Sequence, residues 1–229
     1  MIARILLVAI AAGVIAGAFV TAAQSFKVIP LIYEAETYEN VSPEKAEPEK
    51  TTAPAVAEDW APQAGFERVA YTLLFNVLSG VGFGFVLTAV IVFAGLGISW
   101  STGILWGVGG FLAFSFIPAI GLAPEMPGMV AADIVDRQIW WAGAVASALI
   151  GLGLLAFGKS LAMKTLGVVI LAIPQVVSAP HVNLREVSSS VPAELAAQYV
   201  VATLLTTALF WLVLGASVGG LLQRYGRPA

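Results

Sequence analysis

The chain has no cysteine, a single histidine and few charges. Of its 229 residues, 11% are charged and 59% are hydrophobic. No disulfide framework or thiolate metal site can form, and one histidine alone makes a poor transition-metal site. No combination of nucleophile, base and cofactor-binding residues stands out either. We therefore expect neither an enzyme nor a permanently bound cofactor.

The few charged residues leave long apolar stretches between them. A membrane-spanning helix needs about 20 apolar residues, or roughly 17 at the least. The stretches predict an all-α integral membrane protein, a helix bundle with six spans. The fifth is the shortest and contains Pro174, so a re-entrant segment and five full spans are the alternative. The predicted spans are 5–23, 69–94, 98–121, 139–157, 166–177 and 196–222.

The charges that remain are divided between the two sides of the membrane. With alternating spans, all 14 acidic residues fall on one side, in the segments 27–68, 125–137 and 181–194. The other side has only basic residues, which by the positive-inside rule makes it cytoplasmic, with both termini there. The acidic surface attracts cations and repels nucleic acid. The basic residues of the cytoplasmic side are Arg4, Lys159, Lys164, Arg224 and Arg227.

The domain organisation is simple. We predict a single transmembrane domain over 1–229 that includes an external loop, 41–62, rich in Pro, Glu, Ala, Lys and Thr. Such a composition cannot bury enough apolar surface to order itself, so the loop is predicted to be disordered. The first span has some features of a signal peptide, but its apolar stretch exceeds the usual core of about 7–15 residues. We expect it to be retained as a helix.

The segment 30–39 combines aromatic and aliphatic residues with three carboxylates, Glu34, Glu36 and Glu39. We expect an ordered segment at the membrane interface. In a helix Glu36 and Glu39 share a face, whereas in a strand Glu34 and Glu36 do. Either pair suits a divalent cation that keeps part of its water shell. The alternative is a solvated acidic rim without a bound ion.

Further candidate ligands follow the third and fifth spans. Prolines and glycines over 118–129 predict an irregular backbone carrying Glu125, and Met126 and Met129 are expected to pack there rather than bind metal. Asp133 stands four residues before Arg137 and can pair with it. The lone histidine comes next to the fifth span. The candidate metal ligands are thus Glu34, Glu36, Glu39, Glu125, Asp133 and His181.

Two further patterns concern the helices themselves. Residues 153–160, GLLAFGKS, match a phosphate-binding loop, but they end an apolar helix instead of joining a strand to a helix, so we expect no nucleotide hydrolysis. Glycines four residues apart predict close helix packing, within the bundle or against a partner helix. They are Gly13 and Gly17, Gly80 and Gly84, Gly103 and Gly107, and Gly215 and Gly219.

No predicted span has a charge in its interior, which argues against a proton-relay pump. Any conduction path would therefore use hydroxyl groups, backbone groups or Asn76, the most polar side chain of the second span. Thr206 and Thr207 are candidates for hydrogen bonds across the bundle.

Five stretches together resemble the CbtA family of proposed cobalt transporter subunits. They are AAGVIAG (11–17), PLIYEAETYE (30–39), GLAPEMPG (121–128), DRQIWW (136–141) and FWLVLG (210–215).

The resemblance implies a bacterial inner-membrane protein that is linked to cobalamin synthesis. It also implies a small single-span partner, CbtB-like, whose histidine-rich tail binds metal. The family is usually described with five spans, and a histidine is expected at Gln175. The residues and the resemblance together predict uptake of a divalent cation, cobalt in first place. The alternative is a noncatalytic subunit that assembles into a larger membrane complex.

Overall fold

The chain forms a bundle of helices, and the described residues contain no β-strand. A computed structural model describes residues 2–39, 62–95, 97–181 and 191–225. The all-α membrane fold is thereby confirmed, whereas the predicted loop 41–62 lies almost entirely outside the described residues. The helices are α1 (Ile2–Glu39), α2 (Phe66–Ala94), α3 (Trp100–Gly121), α4 (Ile134–Phe157), α5 (Leu161–Val177) and α6 (Ala193–Tyr225).

Helix α1 is much longer than the sequence predicted, with 38 residues. At ~1.5 Å per residue it measures about 57 Å, whereas the hydrocarbon core of a bilayer is about 30 Å thick. The span predicted over 5–23 and the ordered segment predicted over 30–39 therefore belong to one continuous helix. Pro30 lies inside the helix and removes one backbone hydrogen bond. Val28 and Ile29 beside it are buried, and their packing offsets this loss.

Five helices, α1 to α4 and α6, are long and apolar enough to cross a membrane. Helix α5 has 17 residues, at the lower limit of about 17 for a span. It begins after Ser160 and packs along α4. The side-chain amide of Gln175 near its end donates a hydrogen bond to the Ile117 carbonyl, 3.1 Å away, near the end of α3. The sixth full span stays a prediction.

Successive helices run in opposite directions, so the bundle has two distinct ends. The hydroxyl of Tyr33 near the end of α1 accepts a hydrogen bond from the Gly65 amide before α2, at 3.0 Å. Gly121 at the end of α3 lies against Trp140 in the first turns of α4. We call this the acidic end: the C-termini of α1, α3 and α5 and the N-termini of α2, α4 and α6. The opposite one is the basic end.

Helix α6 supplies much of the core. Side chains four residues apart line up on one side of a helix, which gives α6 an apolar face. This face packs against the basic half of α1 and of α2. Three aromatic rings, those of Phe83, Phe114 and Phe210, contact Trp211, which stacks on Phe114 of α3 with 5.6 Å between ring centroids. Burying rings and branched side chains stabilises this part of the bundle against loss of packing. The buried α6 residues here are Phe210, Trp211, Leu214, Val218 and Leu222.

The predicted glycine faces are confirmed as contacts within the chain. A Cβ at Gly13 of α1 would overlap the backbone of Gly80 in α2, and one at Gly103 of α3 would overlap the Gly215 carbonyl in α6. Backbones can approach this closely only where side chains are absent. The glycines therefore set the distance between α1 and α2 and between α3 and α6.

The turn between α2 and α3 also follows the sequence prediction. Gly95 ends α2 in a left-handed conformation with φ of 63°, which glycine adopts at little cost. Leu96 lies outside the described residues. Ser99 then caps α3, since its hydroxyl accepts a hydrogen bond from the Thr102 amide at 3.2 Å. The apolar stretch between Arg68 and Glu125 is thus divided into two helices at this turn.

Helix α3 is interrupted by a π turn over Leu112–Phe116. Pro118 follows within the same helix and has no N–H, so a carbonyl of the preceding turn loses its main-chain donor. The helix continues through this proline to Gly121, where the predicted span 98–121 also ends, and the irregular backbone, predicted from residue 118, begins at Leu122. The π turn places Ser115 beside a cavity described below.

Pro174 has the same effect in α5, where it deprives the Ile170 carbonyl of its usual donor. The Ser147 hydroxyl of α4 donates a hydrogen bond to that carbonyl instead. A side chain of one helix therefore repairs the backbone of the next. Gly151 and Gly167 let the two helices approach closely enough for this contact.

We expect Ser147→Ala to destabilise the protein by about 1 kcal/mol, because the Ile170 carbonyl would lose its donor. In the double variant Ser147→Ala/Pro174→Ala, residue 174 regains an N–H, and we expect at least part of the loss to be restored. Reversible unfolding in mixed detergent micelles, followed by circular dichroism, measures both. The proposed compensation is contradicted if Pro174→Ala lowers the stability of the Ser147→Ala variant by at least as much as it lowers the stability of the unmodified chain.

Candidate functional site

The carboxylates gather at the acidic end of the bundle. Those whose side chains are described lie in the last turns of α1, the first turns of α2, α4 and α6, and the connection between α3 and α4. In the described part of the chain the basic end has no carboxylate, only basic residues. The acidic residues concerned are Glu34, Glu36, Glu67, Glu125, Asp133, Asp136 and Glu194, and the basic ones are Arg4, Lys159, Lys164 and Arg224.

Glu36 forms an ion pair with Arg68 of α2, at 2.5 Å. The segment is helical, so of the two predicted arrangements Glu36 and Glu39 share a face, although the Glu39 side chain lies outside the described residues. The Arg68 guanidinium also lies over the Tyr33 ring, 4.9 Å from its centroid. Together these contacts fasten the end of α1 to the start of α2. Glu34 is exposed to solvent.

Glu125 lies on the irregular segment after α3 and pairs with Arg137 of α4, at 2.6 Å. The side chains are 28% and 30% exposed, respectively, so solvent screens the pair only in part. The sequence spacing had favoured a pair between Asp133 and Arg137, and this was wrong. Asp133 caps α4 instead, since its carboxylate accepts hydrogen bonds from the Val135 and Asp136 amides at 2.8 and 3.3 Å.

A cavity of about 430 Å³ opens beside the Glu125–Arg137 pair, between α3, α4 and α6. Thr203 and Thr207 of α6 are four residues apart and share the face that lines it. Among the described residues, the Thr203 hydroxyl and the Arg137 Nε are buried and have no hydrogen-bond partner. The polar residues of the lining are Ser115, Glu125, Arg137, Gln138, Thr203 and Thr207. We call this the α3–α4–α6 cavity.

A second cavity, of about 640 Å³, lies between α4 and α5. Its lining is mainly apolar, with Ile139, Ile173 and Pro174 among the contributing residues. Asp136 adds a carboxylate at the acidic end. This lining has few groups that could bind an ion.

The remaining candidate ligands do not join these pairs in one coordination sphere. His181 is exposed just beyond α5, four residues after Val177. Within the described ranges, no three His, Asp or Glu side chains come together as a metal site. Met126 is buried in a cluster with Ala35 and Leu195, and Met129 packs against it, which confirms their packing role. The candidates therefore form a dispersed acidic surface.

Among the described residues, a small polar cluster joins α1 and α2. The Asn76 amide of α2 donates hydrogen bonds to the Thr21 hydroxyl at 3.0 Å and to the Gln24 side chain at 2.7 Å, both in α1. Thr206 bonds within its own helix, to the carbonyls of Ala202 and Thr203. Asn76 thus bonds across helices, as polar groups in lipid do, whereas Thr206, for which such a bond was predicted, bonds within its own helix.

Sequence reasoning missed the pairing of Arg68 with Glu36 and of Arg137 with Glu125. It also missed Ser115 and Thr203. Arg68 is 32 residues from Glu36 along the chain, so spacing along the chain carried no signal for that pair. The pattern at 153–160 lies at the end of α4 and in the turn after it, which is not the strand–loop–helix arrangement of a phosphate-binding loop.

Comparisons with known proteins identify the family of the chain. A family model described as "Probable cobalt transporter subunit (CbtA)" matches residues 2–223. No curated protein and no solved structure matches the chain. The family match covers nearly the whole length, including α1 to α5, all but the last two residues of α6, and the α3–α4–α6 cavity. The chain belongs to the CbtA family of probable cobalt transporter subunits.

Proposed function

We propose that this chain takes up a divalent cation, cobalt in first place, from the acidic side of the bacterial inner membrane. The observation that carries the proposal is the placement of the carboxylates: every described one lies at the acidic end, where Arg68 and Arg137 also lie, whereas the described charges of the basic end are all lysines and arginines. A surface of this kind raises the local concentration of cations and their rate of arrival. The choice of cobalt comes from the description of the family.

The charges also support an orientation. Basic residues flanking spans mark the cytoplasmic side, so the basic end with both termini faces the cytoplasm and the acidic end faces outward. This orientation requires α5 to cross the membrane. Its 17 residues measure about 25 Å, and a thinner or locally compressed bilayer accommodates that length.

At the outer surface the candidate ligands attract the ion and remove part of its water. Carboxylate oxygens suit a hydrated divalent cation, whereas imidazole nitrogen favours transition metals such as cobalt. His181 supplies a single imidazole. We propose that a small single-span partner with a histidine-rich tail provides the others, in a two-component uptake system that serves cobalamin synthesis. The ligands are Glu34, Glu36, Glu39, Glu125, Asp133 and His181.

Uptake of radiolabelled cobalt tests the proposal directly. Cells without their own cobalt importers would express the chain alone and together with a histidine-rich single-span partner. We expect accumulation to require the chain and to rise when the partner is present. Equal abundance of the chain in both strains, measured by immunoblot of membranes, is the control. A chain that copurifies with a partner but gives no cobalt accumulation would instead favour the assembly subunit.

A further inference from the structure

The α3–α4–α6 cavity lies between helices that pack mainly on other partners. Helix α4 packs on α5 and on the acidic part of α3, whereas α6 packs on α1 and α3. Two lining side chains of α4, Ile134 and Trp141, are 64% and 40% exposed, while Pro118 of α3 is fully buried. The cavity therefore extends inward from a surface of the bundle that lipid covers in a membrane.

The lining residues place this cavity in one leaflet of the bilayer. Trp141 follows Arg137 by one helical turn, and tryptophan rings are typical of the level of the lipid headgroups. Along α3 the lining runs from Leu122 back to Phe114, which at ~1.5 Å per residue measures about 12 Å. The cavity thus begins at the headgroups, where Glu125 and Arg137 lie, and reaches into the hydrocarbon region.

The Glu125–Arg137 pair offers one charge of each sign to a ligand. The Arg137 Nη2 lies 2.6 Å from the Glu125 Oε2, and the two side chains are 30% and 28% exposed. A guanidinium has five N–H donors, so Arg137 keeps donors for a phosphate group, which arginine binds through paired hydrogen bonds. A carboxylate accepts several hydrogen bonds, so Glu125 can accept one from an ammonium group while it holds Arg137.

The charges around the pair favour a headgroup that carries both signs. Asp133 and Asp136 are exposed at the cap and in the first turn of α4, and they repel a headgroup with a net negative charge. A zwitterionic headgroup balances its phosphate with an amine. The primary ammonium of ethanolamine has three N–H donors, as in a lysine side chain, whereas the quaternary ammonium of choline has none. Ethanolamine is therefore the better partner for Glu125.

The deeper lining suits the remainder of a phospholipid. Ser115 and Thr207 carry hydroxyl groups, which can donate hydrogen bonds to the carbonyl oxygens of fatty-acid esters. Phe114, Pro118 and Leu204 provide apolar surface for an acyl chain. The volume of about 430 Å³ lies within the range of roughly 300–1,000 Å³ that is usual for sites of small organic ligands.

We propose that the α3–α4–α6 cavity binds a phospholipid with an ethanolamine headgroup. The phosphate pairs with Arg137, the ammonium pairs with Glu125, and an acyl chain fills the space between α4 and α6. The lipid thereby connects two helices that otherwise pack mainly on different neighbours. Lipid binding at this place does not depend on the proposed uptake of cobalt.

Native mass spectrometry of the full chain released from lipid nanodiscs tests the site. The nanodiscs contain equal amounts of phosphatidylethanolamine, phosphatidylglycerol and phosphatidylcholine, and a chelator removes metal ions, because Glu125 is also a proposed ligand of the transported ion. We expect the chain to retain mainly phosphatidylethanolamine. Arg137→Gln should lower the retained amount about tenfold or more, since a charge-assisted hydrogen bond is lost.

Arg68→Gln is the matched control. It removes an arginine that is likewise ion-paired at the acidic end but does not line the cavity, so we expect retention of phosphatidylethanolamine to be unchanged. Three results would each overturn the proposal: preferential retention of phosphatidylglycerol, no preference among the headgroups, or equal losses of phosphatidylethanolamine in the two arginine variants.

A second measurement does not depend on variants of Arg137. Bromine atoms on acyl chains quench nearby tryptophan fluorescence, and Trp141 lines the cavity while Trp100 begins α3 at the basic end. Nanodiscs of one fixed lipid mixture would carry bromine either on phosphatidylethanolamine or on phosphatidylglycerol. We expect stronger quenching from phosphatidylethanolamine, and we expect Trp141→Phe to lose this excess while Trp100→Phe retains it. Equal quenching by the two lipids, or an excess that survives Trp141→Phe, would overturn the proposal.

Discussion

Cobalt uptake will fall about tenfold or more when Glu36 and Glu125 are both replaced by glutamine. Each carboxylate is paired with an arginine, Arg68 or Arg137. The double replacement therefore leaves two unpaired guanidinium groups at the acidic end and makes it locally positive. Cations are then repelled from the surface that we propose attracts them. Uptake of radiolabelled cobalt at low ionic strength, normalised to the amount of chain in the membrane, measures the effect.

The opposite replacement provides the matched control. Arg68→Gln/Arg137→Gln shifts the charge by the same amount in the other direction, and we expect uptake equal to or above that of the unmodified chain. The quadruple variant restores the local charge but has no carboxylate at either position. If it takes up cobalt normally, the carboxylates act through their field alone. If it remains inactive, they bind the ion. Uptake unaffected by the Glu36→Gln/Glu125→Gln replacement would contradict a role for these residues.

Salt provides a further check on the same prediction. The attraction of the acidic end for cations is screened over about 8–10 Å at physiological ionic strength. The difference between the two double variants should therefore shrink as salt rises. A difference that is independent of salt would indicate direct coordination rather than long-range attraction.

Gly103→Ala will destabilise the bundle by about 1–3 kcal/mol, the usual cost of overpacking. The new Cβ would overlap the Gly215 carbonyl and lie 2.9 Å from the Gly219 Cα. These are backbone atoms of α6, which cannot move aside by changing a rotamer. The two helices must therefore separate and lose part of the contact around Trp211 and Leu214. Unfolding in mixed detergent micelles, followed by circular dichroism, measures the change.

Gly109→Ala on the same helix is the control, because no atom lies within 4 Å of its added Cβ. Alanine is the better helix former by about 1 kcal/mol, so this variant should be as stable as the unmodified chain or more so. Both variants make the same chemical change on α3 and differ only in what the methyl group meets. Equal stability of the two would show that α3 and α6 are not in backbone contact.

Much of the architecture was predictable because it depends on local properties of the chain. A charged side chain is costly in lipid wherever its neighbours lie, so the charge-free stretches predicted the membrane fold, and their order placed the carboxylates at one end. Glycines four residues apart present a smooth helix face whatever partner they meet. The faces of Gly13 and Gly103 were therefore predicted, although which helices they contact was not.

The site was predicted only as a set of residues. Sequence spacing favoured Asp133 as the partner of Arg137, because pairs four residues apart are neighbours on a helix. In the structure α4 begins after Asp133, whose carboxylate caps the helix, and Glu125 of the preceding segment comes within 2.6 Å of Arg137. The outcome depends on where the helix starts and on the path of the preceding segment. Neither follows from a pattern of residue types.

The sequence by itself determined that this protein crosses a membrane, that its carboxylates all fall on one side of it, and that its helices pack closely. These properties follow from residue type and spacing alone. Only the tertiary structure decided that α1 continues through Pro30 and that arginines form ion pairs with Glu36 and Glu125. It also decided that the Thr203 hydroxyl is buried. Each of these depends on contacts between segments that are distant in the sequence. Alternative contacts of this kind have comparable free energies, so which of them form is decided only when the whole bundle packs.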